Sequence, residues 1–119
     1  MEKLQINIEI EEYRNLDELH ENDRRVVEKA KEAVKSAYAP YSNFHVGAAV
    51  LLENEEIICG TNQENSAYPS GLCAERVALF YANSKYPNIE IKTLAICAFN
   101  NNEYRKQPTS PCGSCRQVM

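Results

Sequence analysis

The sequence has no tryptophan and no long apolar run, and nowhere does it gather a block of basic residues. Each absence excludes something. A membrane-spanning helix needs roughly 20 consecutive apolar residues, and no stretch approaches that. Lys and Arg together number 13 against 17 Asp and Glu, a formal charge of −4. Affinity for a polynucleotide backbone is largely electrostatic, so this balance, with no basic cluster interleaved with aromatics, argues against a nucleic-acid partner. Repeats, low-complexity tracts and domain linkers are also missing. The first residues, "MEKLQINIEIEEYRNLDE", show neither the basic start nor the apolar block of a signal peptide, and a cytoplasmic protein is expected. Its five cysteines are then expected to be reduced, serving as packing, metal ligands or nucleophiles rather than as disulfides.

What is present fits one soluble domain. The chain has 119 residues, 44% apolar and 25% charged, enough for a single core. Leu4, Ile6, Ile8 and Ile10 alternate with polar residues, a period of two that predicts a strand. The segment "LDELHENDRRVVEKAKEAVKSAYAP" predicts a helix with Val26, Ala30, Ala33 and Ala37 on one face, capped by Asn22 or Asp23 and stopped by Pro40. "NFHVGAAVLLENEEIICGTN" predicts a hairpin turning at Asn54, with Phe44, Val46, Ala48, Val50 and Leu52 on one face. "QENSAYPSG" reads as loop, "LCAERVALFYANSKYP" as a helix ended by Pro87, "IKTLAICAF" as a strand, and "NNNEYRKQPTSP" as loop. "CGSCRQVM" reads as a helix start. A terminal helix this short has little stability of its own, so further sequence is expected after Met119. Helices interleaved with strands predict an α/β layer arrangement with some antiparallel pairing.

The cysteines divide into two groups. Cys59 and Cys97 lie in predicted strands among apolar neighbours and are expected to be buried small hydrophobes. Cys73, Cys112 and Cys115 all lie where helices begin. "PCGSC" alone is compatible with a redox pair or with half of a zinc site. A third thiol in an equivalent position favours metal, and three thiolates leave the fourth tetrahedral position open. The only histidines, His20 and His45, are expected to be structural. Helix starts suit anionic sulfur, because unpaired N–H groups and the positive dipole end stabilise it. Glu75 follows Cys73 by two residues. Side chains in a helix's first turn lean towards its N-terminus, so Glu75 and Cys73 can both approach one ion lying off that end. Three thiolates and Zn²⁺ sum to −1, and Arg76 and Arg116, beside the two motifs, are candidates to offset that charge.

The C-A-E of residues 73 to 75 followed by P-C-x-x-C at 111 to 115 resembles the zinc nucleoside deaminases. "YAPYSNFHVGAAV", "GTNQENSAYPSGLCAERVALF" and "PCGSCRQVM" are likewise similar to the small cytidine deaminases, and the resemblance runs from about Asp23 to the last residue. It implies a three-layer α-β-α fold with a mixed central sheet, over residues 18–119, preceded by an extension of residues 1–17 expected to add an edge strand. That family continues past the last residue of this chain, so the domain is expected to be truncated. The resemblance further implies one Zn²⁺ per chain, bound by Cys73, Cys112 and Cys115, with Glu75 as proton shuttle in the hydrolytic deamination of cytidine or deoxycytidine. It implies that Phe44 packs against the pyrimidine, that Asn62 and Glu64 reach the ribose, and that the backbone of Ala74 meets the base carbonyl. Tyr68 falls where the family builds subunit contacts, in a homotetramer. Two alternatives remain: a deaminase of another aminated nucleoside, such as a blasticidin-type antibiotic, and a non-catalytic module stapled by zinc.

Overall fold

A computed structural model describes residues 1–119. Its main elements are α1 (Glu21–Ala33), β1 (His45–Leu52), β2 (Ile57–Thr61), α2 (Ala74–Lys85), β3 (Ile91–Asn100), β4 (Glu103–Tyr104) and α3 (Gly113–Val118). The four strands form one sheet in the order β2-β1-β3-β4. Helix α1 covers one face and α2 the other, which is the expected three-layer arrangement. A mixed sheet was expected, yet all three ladders among these strands are antiparallel. The one parallel pairing is an isolated bridge between Tyr38 and Gln63. No helix is long and apolar enough to cross a membrane.

Strand β1 is the centre of the structure. Its "HVGAAVLL" is apolar on both faces because it is covered on both. Val46, Ala48, Val50 and Leu52 pack against Ala74, Ala78, Leu79 and Ala82 of α2. Ala49 and Leu51 face Val26 and Ala30 of α1. Fully burying a side chain such as Val or Leu contributes about 1.5–3 kcal/mol, so this double burial makes β1 the strand the sheet organises around.

Two glycines set how closely the helices sit. A Cβ on Gly47 would lie 2.2 Å from the Ala30 carbonyl oxygen. A Cβ on Gly60, in β2, would lie 2.4 Å from the Ala78 nitrogen and 2.7 Å from the Ala74 oxygen. At Gly60 the first turn of α2 therefore rests directly on sheet backbone, which fixes where that helix begins.

Several expectations are corrected. Residues 1–12 form no strand. Leu4, Ile6, Ile8 and Ile10 are 81–92% exposed, since alternation alone makes no strand without a neighbour to pair with. Helix α1 is shorter than expected: it starts after His20, which makes no side-chain cap, and passes at Val34–Ser36 into a 3-10 turn. Cys59 is exposed and Cys97 half-buried. Cys59 lies on β2, the outermost strand, where its Sγ meets the Lys29 carbonyl of α1. Strand β4 falls in the segment whose sequence reads as loop. It is two residues long and joined to β3 through Asn101 and Asn102, both left-handed at φ 53° and 63°; asparagine tolerates that region better than most residues. The β1–β2 turn works without glycine because Glu55 takes the left-handed position, φ 70°, while Asn54 accepts a bond from the Glu56 N–H.

The contact at Gly60 has a measurable consequence. Gly60→Ala forces backbone against backbone and is expected to cost about 1–3 kcal/mol. Thermal unfolding should show a fall in Tm of several degrees; an unchanged Tm would mean that α2 does not sit this close.

Candidate active site

The site lies where two helices begin. Cys73 is the residue before α2, with extended backbone (φ −72°, ψ 155°) and no side-chain capping bond to the helix backbone. Cys112 stands in the same relation to α3, with φ −70° and ψ 171°. Cys115 is in the first turn of α3 and fully buried. The loop before each helix thus delivers one sulfur, and the α3 turn brings the third back beside them.

The sulfurs of Cys73 and Cys112 are 3.6 Å apart, and those of Cys112 and Cys115 are 3.4 Å apart. All three lie within 4.8 Å of one another. Around a tetrahedral zinc with Zn–S bonds of about 2.3 Å, neighbouring sulfurs sit about 3.8 Å apart. The donor set therefore fits one zinc in chemistry and in spacing.

The local charges are arranged for anionic sulfur. The Cys115 N–H donates to Cys112 Sγ at 3.5 Å. That bond is the first cause holding the Cys112 thiol down to about 7. Burial pushes Cys115 up to about 12, reinforced by its bonds to the Cys112 and Cys73 sulfurs and by the Glu75 charge. Without a cation the trio therefore keeps at least one proton. Arg76 Nη2 approaches Cys73 Sγ at 3.7 Å, and that contact raises the guanidinium pKa. The Arg76 Nε is buried without a partner. Arg116 behaves differently: its Nε donates to the Pro111 carbonyl at 3.0 Å, tying down the loop before α3.

Glu75 is only 4% exposed, and its Oε2 lies 3.5 Å from Cys115 Sγ. It sits in the first turn of α2, at the end of the helix where the unpaired N–H groups lie. Residue 75 thus stands against the sulfurs although it is only two positions from Cys73. Ala74, between them, is fully buried and opens α2.

An open cleft of about 900 Å³ leads to the sulfurs, with Tyr41, Glu64, Tyr68, Cys73, Arg76 and Cys112 among its walls. Asn62 and Glu64 line it too, but both already hold backbone. Asn62 Oδ1 accepts from the Val46 N–H and Nδ2 donates to the Phe44 carbonyl, each at 2.9 Å. Glu64 Oε1 accepts from the N–H groups of Tyr41 and Ser42 at 3.0 and 3.1 Å, and Oε2 accepts from the Ser42 hydroxyl. The Ser42 hydroxyl is the first cause that lowers the Glu64 pKa. Phe44 is half-buried against the α2-facing core. Tyr68 is 90% exposed, in a turn over Tyr68–Ser70.

Ser42 was missed by sequence reasoning. It links Glu64 to Phe44, because its Oγ also accepts the Phe44 N–H at 3.0 Å. A serine three residues before a strand is a known turn-former, and that is the available signal.

The family model for the cytidine and deoxycytidylate deaminase zinc-binding region matches residues 20–119. The chain belongs to that family. A cytidine deaminase of Halalkalibacterium halodurans is 43% identical over 98 residues, covering 82% of this chain and 70% of that relative. One from Sporosarcina psychrophila is 45% identical over 95 residues, covering 80% of this chain and 65% of the relative. The crystal structure of cytidine deaminase from Burkholderia pseudomallei superposes with a TM-score of 0.71 at 42% identity, over 80% of this chain and 72% of that one. This chain thus spans about two thirds of the length of the curated relatives it matches. The match also identifies the cysteine trio, which lies inside the matched region, with a zinc-binding family.

Two outcomes follow. Replacing Cys73 or Cys112 by Ser should reduce bound zinc from about one per chain to a small fraction, measured by elemental analysis after desalting, since three ligands are the minimum for such a site. Full retention in both variants would remove these sulfurs from the metal site. Glu64 has a lowered folded pKa, so its stabilisation is complete above its unfolded value, about 4.3, and is lost as pH falls through the folded value. Glu64→Gln should accordingly cost about 1 kcal/mol at pH 7, with the gap to the parent chain closing below about pH 4. Urea unfolding across pH reads this directly, and a gap that widened on acidification would contradict it.

Proposed function

We propose that the chain is the catalytic part of a cytidine deaminase, converting cytidine or deoxycytidine and water to uridine or deoxyuridine and ammonia. The observation that carries this reading is the buried Glu75 carboxylate, 3.5 Å from Cys115 Sγ. A purely structural zinc site has no use for a buried carboxylate beside its ligands. The family match and the named relatives support the reaction class.

Cys73, Cys112 and Cys115 would hold the zinc. Zinc supplies Lewis acidity, lowering the pKa of water from 15.7 to about 7. Glu75 accepts a proton from the water and delivers it to N3 of the pyrimidine. The C4–O bond forms; Glu75 then takes the remaining proton from the new C4 hydroxyl and passes it to the amine, so that the C4–N bond breaks, ammonia leaves and the C4 carbonyl remains. Arg76 offsets the negative charge of the thiolates. Asn62 and Glu64 serve the ribose end of the cleft with the lone pairs and the hydrogen that their backbone bonds leave free. Phe44 packs against the base, and the backbone of Ala74, where α2 begins, meets the base carbonyl.

The wide cleft supports one further element. At about 900 Å³ it lies near the upper end of the usual range for small-molecule sites, and the exposed Tyr68 stands at its rim. A second copy of the chain seated there would narrow it, in keeping with a homotetrameric, cytoplasmic enzyme of pyrimidine salvage.

The test is Glu75→Gln in the zinc-loaded protein. Turnover of cytidine, followed as uridine or ammonia, should fall by about 10²–10⁴-fold, the usual contribution of a positioned proton-transfer group, while zinc content is unchanged. Retained turnover would sink the assignment of Glu75.

A further inference from the structure

Phe44 is held by two backbone hydrogen bonds, its N–H donating to Ser42 Oγ and its carbonyl accepting from Asn62 Nδ2, yet a phenyl ring keeps its own torsional freedom unless something fixes its face. The structure offers one such group. Beyond β4, the Arg105 N–H donates to the Ala98 carbonyl at 2.8 Å. This brings the Arg105 guanidinium over the Phe44 ring, 6.0 Å from the centroid. The chain's three ion pairs all involve other residues, so the aromatic face is the partner this guanidinium has.

The hairpin carrying Arg105 is anchored independently of Phe44. Phe99 and Tyr104 meet edge to face with centroids 5.2 Å apart. The Tyr104 hydroxyl donates to the Lys31 carbonyl of α1 at 3.1 Å, and the Lys31 ammonium lies 4.8 Å from the Tyr104 ring centroid. The hairpin is thus fastened to the opposite face of the sheet while Arg105 reaches round to Phe44.

We propose that Arg105 is a positioning residue for the substrate base, acting through Phe44, which makes the β3–α3 segment part of the nucleoside site. The inference rests on the reading of Phe44 as the base platform. Backbone pins from Asn62 and Ser42 fix where the ring starts, and the cation over its face fixes how it turns. A ring ordered beforehand lowers the cost of binding without touching the chemical step, so the effect belongs in KM rather than kcat. Cation–π contacts at exposed sites correspond to about two- to fivefold in an equilibrium constant.

The experiment uses zinc-loaded protein with Arg105→Ala, Arg105→Lys, Phe44→Leu and the Phe44→Leu/Arg105→Ala double variant. Arg105→Ala should raise KM for cytidine about two- to fivefold, with kcat changed by less than twofold. Arg105→Lys should recover part of that loss, and Arg105→Ala should have no further effect in the Phe44→Leu background. A fall in kcat at constant KM, or the same rise in KM without Phe44, would overturn the proposal. A substrate-free readout separates this proposal from the deaminase reading. The Arg105 side-chain protons should show an upfield ring-current shift by NMR that disappears in Phe44→Leu. With that shift present, absence of turnover in the parent chain would refute the deaminase reading and the role for Arg105 built on it. Turnover without the shift would refute the Arg105 contact alone.

Discussion

Three sulfurs within 4.8 Å of one another, with Cys73–Cys112 at 3.6 Å and Cys112–Cys115 at 3.4 Å, cannot all be anionic without a cation among them. Coulomb repulsion between unit charges at that spacing is several kcal/mol even in a partly polar surrounding. The opposed tendencies of the pair follow from their surroundings: the Cys115 N–H holds Cys112 down to about 7, while burial pushes Cys115 up to about 12. A divalent ion removes the conflict by displacing the protons. The arrangement therefore makes chemical sense as a metal site, and the rest of the fold serves to keep the sulfurs together.

That service can be traced through the layers. Strand β1, buried on both faces, is the fixed reference. Gly60 beside it lets the first turn of α2 lie directly on backbone, which sets the height of Cys73 and Glu75. Strand β3 and its short hairpin lead to the loop whose end Arg116 ties to Pro111, which sets Cys112 and Cys115. The 41–46 segment is pinned by Glu64 and Asn62. Residues that ligand recognition would use are thus also residues that hold the cleft's walls in place, so disturbing either role disturbs the other.

The site was more legible in the sequence than its surroundings were. Thiols at two helix starts and a carboxylate in the first turn of one have a chemical reason to share an ion, and sequence spacing carries that reason. The hidden parts depend on neighbours. Leu4 to Ile10 alternate as cleanly as Val46 to Leu52, but only the second set has helices and strands to meet. Cys59 has apolar neighbours in sequence and still lies exposed, because its strand is at the sheet's edge. β4 is too short to carry a period, and its Asn-Asn turn has the composition of a loop. Arg105 carries no local signal at all: its significance comes from a ring 61 positions earlier that the hairpin brings beneath it.

The central claim is that three protein sulfurs, and no fourth protein atom, hold the metal beside Glu75. X-ray absorption at the zinc edge of the purified protein tests it most directly. The account predicts three sulfur scatterers at about 2.3 Å and one lighter oxygen scatterer at about 2.0 Å, the latter changing when a nucleoside is added. Four sulfur or imidazole scatterers, unaltered by nucleoside, would contradict it.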